Sequence, residues 1–283
     1  MNERILRLYP PPNDEVRLNG LYLSHNLHTL GSKDTPYVYA NFVSSLDGRI
    51  AVGKDEANSY IPERMVSQSD LRLLLELQAQ ADCLITHGGY MRELSAGRLG
   101  NVLQVGTQLD CEDLAAWRLA QGLTPQPAVI IVSASLDFPL HPSLEEHQQA
   151  VYIATGKEAD PLRVRDWQAK GCHVLFAGEH NQVQAESLMP SLKELGFKSV
   201  YLSAGPQILD TFVRDRLLAR LFCTVTHQLI GGTDFHTMLP GPLLGKEGDL
   251  RLHSLYYEPG VPGGAGQFFT QFEPIYSKFE LTH

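Results

Sequence analysis

Residues 37–51 read YVYANFVSSLDGRIA, and this stretch decides the fold. Its Tyr, Val and Phe residues favour a β-strand, whereas Asp47-Gly48 is a strong turn signal. The strand carries one polar residue, Asn41, among apolar neighbours, and it stops at a cluster of small polar residues. In α/β proteins, ligands bind outside the carboxyl ends of the strands. The stretch therefore predicts a functional site where this strand ends.

Strand-like and helix-like segments alternate from Pro36 onward. Strands are predicted at Tyr37–Val43, Cys83–Thr86, Ala128–Val132, Val151–Ala154, His173–Phe176 and Ser199–Leu202. Helices are predicted at Ser67–Gln80, Gln184–Leu195 and Gln207–Leu218. Ser67 and Asp70 have the spacing of a capping box at the start of the first helix. Such alternation is typical of an α/β fold with a mostly parallel central sheet and helices on its faces.

The two ends of the chain follow other patterns. Residues 1–35 are polar and include three consecutive prolines, which predicts an N-terminal extension that wraps or caps the main body. The last predicted strands are Leu221–Leu229, Leu252–Glu258 and Gln267–Phe279. No helix separates the last two, so the sheet is expected to end in antiparallel C-terminal edge strands. The Gly- and Pro-rich segment Gly231–Gly248 is expected to be irregular, and residues 36–283 are expected to form one domain.

Composition narrows the classes of function. The chain has 283 residues with 43% hydrophobic and 19% charged residues, as is ordinary for a globular protein. A net charge of −9 argues against nucleic-acid or anionic-membrane partners. No apolar run approaches the ~20 residues of a membrane span, and the first twelve residues contain no signal-peptide core, so a cytoplasmic protein is expected. The eleven histidines and four cysteines show no metal-ligand spacing, so no metal is expected.

Three loops with small residues follow predicted strands and are candidate phosphate cradles. They are Thr86-His87-Gly88-Gly89-Tyr90, Thr155-Gly156-Lys157 and Ser203-Ala204-Gly205-Pro206. A phosphate needs backbone N–H groups and close approach, which glycine and a helix N-terminus provide. Each loop alone is better explained as a chain reversal, but three at strand ends together favour a nucleotide cofactor. The dinucleotide fingerprint GxGxxG and the Walker pattern are both absent.

Two residues of the first strand and its turn are open to alternative interpretations. Asp47 either orients a substrate or relays a proton, or it is simply the Asp of an Asp-Gly turn. Asn41 either binds a ligand or satisfies nearby backbone groups, because a buried amide needs hydrogen-bond partners.

With these residues in hand, the chain resembles the reductase domain of riboflavin biosynthesis, the pyrimidine reductase family, without the deaminase domain. The resemblance spans roughly residues 36–279 and depends on four patches. They are Pro36 to Ala51 with Ser45-Leu46-Asp47-Gly48, Ala81 to Gly89, Val200 to Leu209, and Gln228-Leu229-Ile230-Gly231-Gly232. The resemblance implies a three-layer, dihydrofolate-reductase-like fold.

The resemblance also implies an activity. The expected enzyme is an NADPH-dependent oxidoreductase similar to 5-amino-6-(5-phosphoribosylamino)uracil reductase, acting as a homodimer on a phosphoribosylaminopyrimidine. Asp47 would be catalytic, and Asn41, Ser45 and Ser67 would bind the substrate. The expected NADPH-binding residues are Gly88, Gly89, Ala204, Gly205, Pro206 and Gln207, to which the second cradle loop adds Thr155. The hydride belongs to the cofactor, and the protein aligns it with the acceptor carbon.

Departures from the family pattern leave other functions open. Ser203 stands where the family usually has a Glu that contacts substrate, and Tyr90 stands where it has Thr. Glu93 is only near the position of the family's acidic residue. One alternative is a paralogue that reduces a pterin or dihydrofolate-like ring. The other is a nucleotide-binding dimer without turnover.

Overall fold

Residues 4–54, 59–203, 205–260 and 264–276 are described by a computed structural model, and within these ranges eleven strands form one sheet. The strands are β1 (Arg4–Tyr9), β2 (Asp14–Arg17), β3 (Tyr37–Ser45), β5 (Cys83–His87), β6 (Ala128–Val132), β7 (Val151–Thr155), β8 (His173–Phe176), β9 (Ser199–Leu202), β10 (Arg220–Thr226), β12 (Leu250–Glu258) and β13 (Gln267–Pro274). Two short strands, β4 (Ala51–Val52) and β11 (Phe235–His236), pair separately. The order across the large sheet is β2-β1-β12-β13-β10-β3-β9-β5-β6-β7-β8. Neighbours are parallel from β10 to β8 and antiparallel from β2 to β10.

Helices connect the parallel strands. They are α1 (Gln68–Gln78), α2 (Gly88–Ser95), α3 (Glu112–Ala120), α4 (Ser143–Glu146), α5 (Pro161–Ala169), α6 (Ala185–Glu194) and α7 (Pro206–Arg214). Single 3-10 turns occur at Leu23–His25, Leu27–Thr29, Glu63–Met65 and Gly245–Gly248. Across the described ranges, no helix has the length and apolar character needed to cross a membrane.

Side-chain alternation along β3 divides the core into layers. Val38 and Ala40 point to the face that α6 and α7 cover, while Tyr39 points to the opposite face beneath α1. On that second face, Leu73 and Leu77 of α1 pack against the aromatic residues of the central strands. The sheet therefore lies between two helical layers. The predicted three-layer α/β fold with a mostly parallel sheet and antiparallel strands beside it is confirmed.

The first residues of the chain extend the sheet. β1 pairs with β12 and β2 pairs with β1, so the N-terminal strands continue the sheet beyond the predicted antiparallel C-terminal strands. The extension is also anchored to α1, because the Glu76 carboxylate accepts the N–H groups of Gly20 at 2.6 Å and Tyr22 at 2.9 Å. An uncovered β12 would present unpaired N–H and C=O groups, and β1 pairs with them.

Some boundaries differ from those predicted. β10 ends at Thr226 rather than Leu229, and beyond it the N–H groups of Ile230 and Gly231 bond to Asp47. The segment Gly231–Gly248 is irregular apart from β11 and one 3-10 turn. Helices α3, α4 and α5 were not predicted.

Candidate active site

A row of polar residues continues the aromatic core layer toward the carboxyl ends of the central strands. On β3, Asn41 follows Tyr39 on the same face, and on β10, Thr224 follows Phe222 on that face. The Thr224 hydroxyl donates a hydrogen bond to the carboxylate of Asp70 in the first turn of α1. Asn41, Thr224 and Asp70 are called the polar floor below. Three separate elements thus bring polar groups together under one helix.

Within the polar floor, the Asn41 side chain bonds to a tyrosine. A hydrogen bond joins its side chain to Tyr201 of the neighbouring strand β9. Burial raises the pKa of Tyr201 far above its usual range, with the charge of Asp70 adding to the shift and the bond from Asn41 opposing it. Tyr201 therefore stays neutral. The Asn41 amide thus has a side-chain hydrogen-bond partner, as the interpretation of Asn41 as a buried amide requires. Because Asn41 is only half-buried, part of its side chain is also accessible.

Asp70 is the member of the floor that sequence reasoning missed. The sequence predicted a helix cap, and Ser67 Oγ does accept the Asp70 N–H at 2.9 Å. The Asp70 carboxylate, however, turns inward, and only 5% of the residue is exposed. Burial raises its pKa to about 6, the bond from Thr224 opposes this, and the negative charge of Glu258 adds to it. Its Oδ1 has no hydrogen-bond partner among the described residues. Its helical spacing from core residues Leu73 and Leu77 was the signal that could have revealed it.

A cavity of about 290 Å³, called the α1 cavity below, opens beside the first turn of α1. Its wall includes Ser67, Ser69, Glu258 and Gln267. Glu258 is 6% exposed, and its two oxygens accept bonds from Ser69 Oγ at 2.6 Å and from Gln267 Nε2 at 2.5 Å. Gln267 Nε2 also donates to Ser67 Oγ at 2.7 Å. The predicted substrate residue Ser67 is therefore joined to a carboxylate that no sequence motif marked.

Asp47 fastens the turn after β3 to the loop after β10. Its carboxylate accepts the Ser45 hydroxyl and the N–H groups of Ile230 at 3.2 Å and Gly231 at 2.9 Å, and it lies 2.8 Å from the Arg49 guanidinium. The bonds from Ser45 and Gly231 hold the pKa of Asp47 well below its usual range. Asp47 is therefore ionised at neutral pH and cannot donate a proton there. The predicted catalytic role of Asp47, and substrate contact by Ser45, stay predictions.

The loop that Asp47 holds lines a second, more open cavity of about 530 Å³, called the β4 cavity. Its lining residues are Val52, Tyr60, Pro62, Arg64, Ile230, Gly231, Gly232, Thr233 and Asp234. Arg64 also lines the α1 cavity. Its backbone carbonyl accepts from Gln228 Nε2 at 2.6 Å, and its guanidinium donates to the Leu229 carbonyl at 3.3 Å. A cation therefore stands where the two cavities meet.

The glycine loops lie together on the other side of β3. α2 begins directly after β5, and α7 begins one short loop after β9, and these two strands are parallel neighbours. A Cβ atom at Gly89 would lie 2.7 Å from His87 Nδ1, and one at Gly205 would lie 3.4 Å from His87 Nε2. His87 Nδ1 accepts the Tyr90 N–H at 3.3 Å. The His87 ring thus stands between two helix N-termini, and at Gly89 it leaves no room for a side chain.

The other predicted cofactor residues are placed differently. A Cβ at Gly88 would come within 3.0 Å of Phe138, so packing alone also requires this glycine. Pro206 starts α7 and Gln207 follows it, whereas Ala204 lies outside the described residues. Thr155 is fully buried at the end of β7, two strands from β5, and its cofactor role stays a prediction.

Comparison with known proteins identifies the family. The RibD C-terminal domain model matches residues 36–259. The chain belongs to this family. Among its relatives, a 2,5-diamino-6-ribosylamino-4(3H)-pyrimidinone 5′-phosphate reductase of Archaeoglobus fulgidus is 24% identical over 208 residues, which are 73% of this chain and 87% of the relative.

Solved structures share the fold of this RibD C-terminal domain. A pyrimidine reductase-like protein of Corynebacterium diphtheriae has a TM-score of 0.64 at 17% identity, covering 86% of this chain and 93% of that one. A Thermotoga maritima diaminohydroxyphosphoribosylaminopyrimidine deaminase/5-amino-6-(5-phosphoribosylamino)uracil reductase has a TM-score of 0.55 at 15% identity, covering 86% of this chain and 58% of that one. At these identities the likeness concerns the fold alone.

Within the RibD C-terminal domain, two of the residues that depart from the family pattern, Tyr90 and Glu93, have local side-chain partners. The Tyr90 hydroxyl donates to the Gly100 carbonyl at 2.9 Å and accepts the Val102 N–H at 3.1 Å, so this residue is engaged with the segment after α2. Glu93 pairs with Arg98.

Proposed function

We propose that this chain is an NADPH-dependent reductase that opens the ribose of a ribosylaminopyrimidine 5′-phosphate to a ribityl chain. The observation that carries the proposal is the juxtaposition of two features in a RibD C-terminal domain. The polar floor belongs to β10, β3 and α1, and the paired N-termini of α2 and α7 follow β5 and β9, which come next in the sheet. A substrate over the floor and a nucleotide over the glycine loops would meet above β3 and β9.

The glycine loops fit a nucleotide diphosphate. The first-turn N–H groups of α2 and α7 carry partial positive charge at adjacent strand ends, and each helix dipole contributes about 0.3–1 kcal/mol toward an anion. Gly88 and Gly89 would hold one phosphate at the start of α2. Gly205, Pro206 and Gln207 would hold the other at the start of α7.

The chemistry is a hydride transfer with a proton. Bound NADPH would supply a hydride to C1 of the ribose while the bond from C1 to the ring oxygen breaks, and that oxygen takes up a proton, which leaves a ribityl chain and NADP⁺. The residues of the chain bind and orient the substrate and exclude water. Asn41 and Ser67 would contact the heterocycle. Asp70 would take part in the proton transfer. Asp47 and Ser45 would position the loop around the β4 cavity.

Asp70 suits a proton-transfer role better than Asp47. Burial raises the pKa of Asp70 to about 6, so a fraction of the molecules carries the proton near neutral pH. The pKa of Asp47 is held well below its usual range, so that carboxylate keeps its negative charge.

The test is oxidation of NADPH, followed by absorbance, with a ribosylaminopyrimidine 5′-phosphate as substrate. Turnover that requires both compounds is the expected result, with NADH oxidised more slowly. Thermal unfolding with NADPH is the parallel measurement, because a ligand at 100 times its dissociation constant stabilises the folded state by about 2.7 kcal/mol. Stabilisation without turnover on any ribosylaminopyrimidine contradicts the reductase and favours a nucleotide-binding protein. Light scattering tests the homodimer, which is expected to have twice the mass of one chain.

A further inference from the structure

One imidazole joins the two glycine loops, and it was not among the predicted cofactor residues. His87 is the last residue of β5 and the N-cap of α2. Its Nδ1 accepts the N–H of Tyr90, in the first turn of α2, at 3.3 Å. Its Nε2 faces the start of α7, where a Cβ atom at Gly205 would lie 3.4 Å away. The two ring nitrogens therefore face two different helix starts.

The bond from Tyr90 determines which ring nitrogen carries the proton. A nitrogen that accepts a hydrogen bond offers its lone pair and carries no proton, and a neutral imidazole has one N–H. The neutral His87 ring therefore carries its proton on Nε2. An N–H donor thus faces the start of α7, and the bond that Nδ1 receives polarises this donor further.

The start of α7 has few main-chain donors of its own. Its first residue is Pro206, which has no N–H, and its N-cap residue, Gly205, has no side chain that could act as a cap. The N–H of Ile208 bonds to the Gly205 carbonyl at 3.2 Å. An anion at a helix N-terminus is normally held by the N–H groups of the first turn. At α7, the Nε2–H of His87 supplements this reduced set.

The surroundings of the ring favour an anion. Arg92 Nη2 lies 3.8 Å from the position of a Cβ atom at Gly89, and Nη1 donates to the Asp137 carbonyl, a neutral acceptor, at 2.8 Å. The guanidinium therefore keeps a positive charge beside the start of α2, where the helix dipole also favours negative charge. Because residue 205 is glycine, no side chain there obstructs the approach to Nε2.

We propose that His87 Nε2 donates a hydrogen bond to the diphosphate of the cofactor, at the phosphate that lies over the start of α7. The ring thereby connects the cap of α2 to the anion. The inference rests on the proposed function and adds a residue to its cofactor site. A methyl group at Gly89 would displace the ring, so the Gly89→Ala protein should lose this bond as well. Because NADPH and NADH share the diphosphate, the bond should strengthen the binding of both.

Two substitutions separate the roles of the two nitrogens. In His87→Asn, the amide oxygen can still cap α2, since Asn is among the best N-cap residues, but no donor reaches the position of Nε2. In His87→Gln, the longer side chain can bring an amide N–H toward that position. Fluorescence titrations of the protein with NADPH and with NADH, without substrate, measure Kd for each variant.

We expect His87→Asn to raise the Kd of both nucleotides by about tenfold, as the loss of a hydrogen bond to a charged group requires, and His87→Gln to recover part of that loss. His173→Asn, at an exposed histidine of β8, is the matched control and should keep the original Kd. An unchanged Kd in His87→Asn overturns the inference, as does a loss confined to NADPH, which would place His87 at the 2′-phosphate. A His87→Gln protein that binds no better than His87→Asn also overturns it.

Proton–nitrogen correlation spectra of the unmodified protein test the tautomer directly. We expect the His87 proton on Nε2 and a shift of that signal when ADP, a diphosphate without nicotinamide, is added. A proton on Nδ1 overturns the inference. Neither measurement requires turnover, so nucleotide binding without oxidation of NADPH contradicts the reductase while the His87 variants still test this inference. Turnover with an unchanged Kd in His87→Asn does the reverse, and failure to bind any of these nucleotides contradicts both.

Discussion

The pKa values of Asp47 and Asp70 are shifted in opposite directions although both are aspartates next to the same strand end. Asp47 accepts several hydrogen bonds that favour its charged form, whereas Asp70 is enclosed by protein beside another carboxylate. Environments that separate two pKa values in this way assign different work to the two groups. The first fixes a loop, and the second can exchange a proton.

Substituting Asp47→Asn tests the role of the turn. The amide keeps one acceptor oxygen but loses the charge that pairs with Arg49, so the loop at Gly231 should be less fixed. We expect kcat to fall by about tenfold or more with a Kd for NADPH within about threefold of the original. Steady-state kinetics and a fluorescence titration measure the two quantities. Unchanged kcat would show that Asp47 is only a turn residue.

Substituting Asp70→Asn tests the buried carboxyl through pH. Its pKa is raised to about 6 in the folded state against about 3.9 unfolded, so the folded state binds the proton more tightly. The free energy of unfolding should therefore fall by roughly 2–3 kcal/mol as pH rises from 4 to 7, and the penalty is complete above the folded pKa. The Asn variant does not titrate, so its stability relative to the original should rise by that amount over the same range.

Urea unfolding at several pH values supplies the measurement for Asp70. A difference between variant and original that stays constant from pH 4 to pH 7 contradicts the raised pKa. The same preparations report turnover, which we expect to be strongly reduced in the variant.

At the residue scale, the sequence revealed polar residues that interrupt an apolar strand or mark the start of a helix. Asn41 was visible because it is an amide inside an apolar strand, and Ser67 because it precedes a helix. In the sequence, Asp70 looks like an ordinary first-turn acidic residue, although its spacing from Leu73 and Leu77 places it on the buried face of α1, where it contacts Thr224. Glu258 gave no signal at all, since its environment is built from residues far apart in the chain, Ser69 and Gln267.

At the element scale, helix α2 is notable because its N-terminus is already capped by a side chain. The His87 imidazole accepts the Tyr90 N–H, so one orphan donor of the first turn is satisfied before any ligand binds. The remaining N–H groups of this turn and those of α7 stay near the ring. The His87 ring therefore lies between the starts of α2 and α7, where the proposed cofactor would place its phosphates.

Substituting Gly89→Ala should disturb this arrangement. The added methyl group would lie 2.7 Å from His87 Nδ1, so the ring must move and the cap at Tyr90 is lost. We expect the Kd for NADPH to rise by about tenfold. The corresponding loss of binding free energy lies within the range of about 0.5–2 kcal/mol that a lost helix cap typically costs. Gly100→Ala is the matched control, because a Cβ there meets no atom within 4 Å.

A second substitution separates the cause at Gly89. If the clash with the ring weakens binding, then His87→Ala combined with Gly89→Ala should bind NADPH better than Gly89→Ala alone. A Kd for Gly89→Ala equal to that of the Gly100→Ala control would remove the α2 N-terminus from the cofactor site.

At the element scale, periodicity predicted the strongly patterned segments and missed the weak ones. α1 and α7 bury continuous apolar stripes and were predicted within a few residues of their bounds. α5 buries only Val164 and Trp167, so its helical period is faint, although Asp160 before Pro161 marks its start. The register of β12 with β1 depends on tertiary pairing and has no local signal.

The whole molecule depends on its first residues more than the family match indicates. The matched region begins at Pro36, yet β1 and β2 complete the sheet and Glu76 bonds Gly20 and Tyr22. Without the extension, the buried Glu76 would keep Arg72 but lose these N–H donors, and the edge of β12 would be open.

Shortening the chain to begin at Pro36 should therefore destabilise it. Each N–H partner that the buried Glu76 carboxylate loses costs about 1–3 kcal/mol, and the loss of both corresponds to a fall in Tm of roughly 10 °C. Calorimetry measures the Tm and light scattering reports association through the open β12 edge. The control replaces both Arg4 and Glu15 with Ala, since their exposed ion pair should contribute little. A shortened chain with the original Tm contradicts the anchoring role of the extension.

The pairing of β1 with β12 also has a consequence for synthesis on the ribosome. β1 is translated long before β12, its partner strand. At about 5–20 residues per second, the first strand waits on the order of ten seconds or more without its neighbour. Glu258, at the end of β12, arrives equally late. A nascent chain can therefore assemble its parallel strands early, but it has neither a closed sheet edge nor a complete α1 cavity until β12 and β13 have been translated.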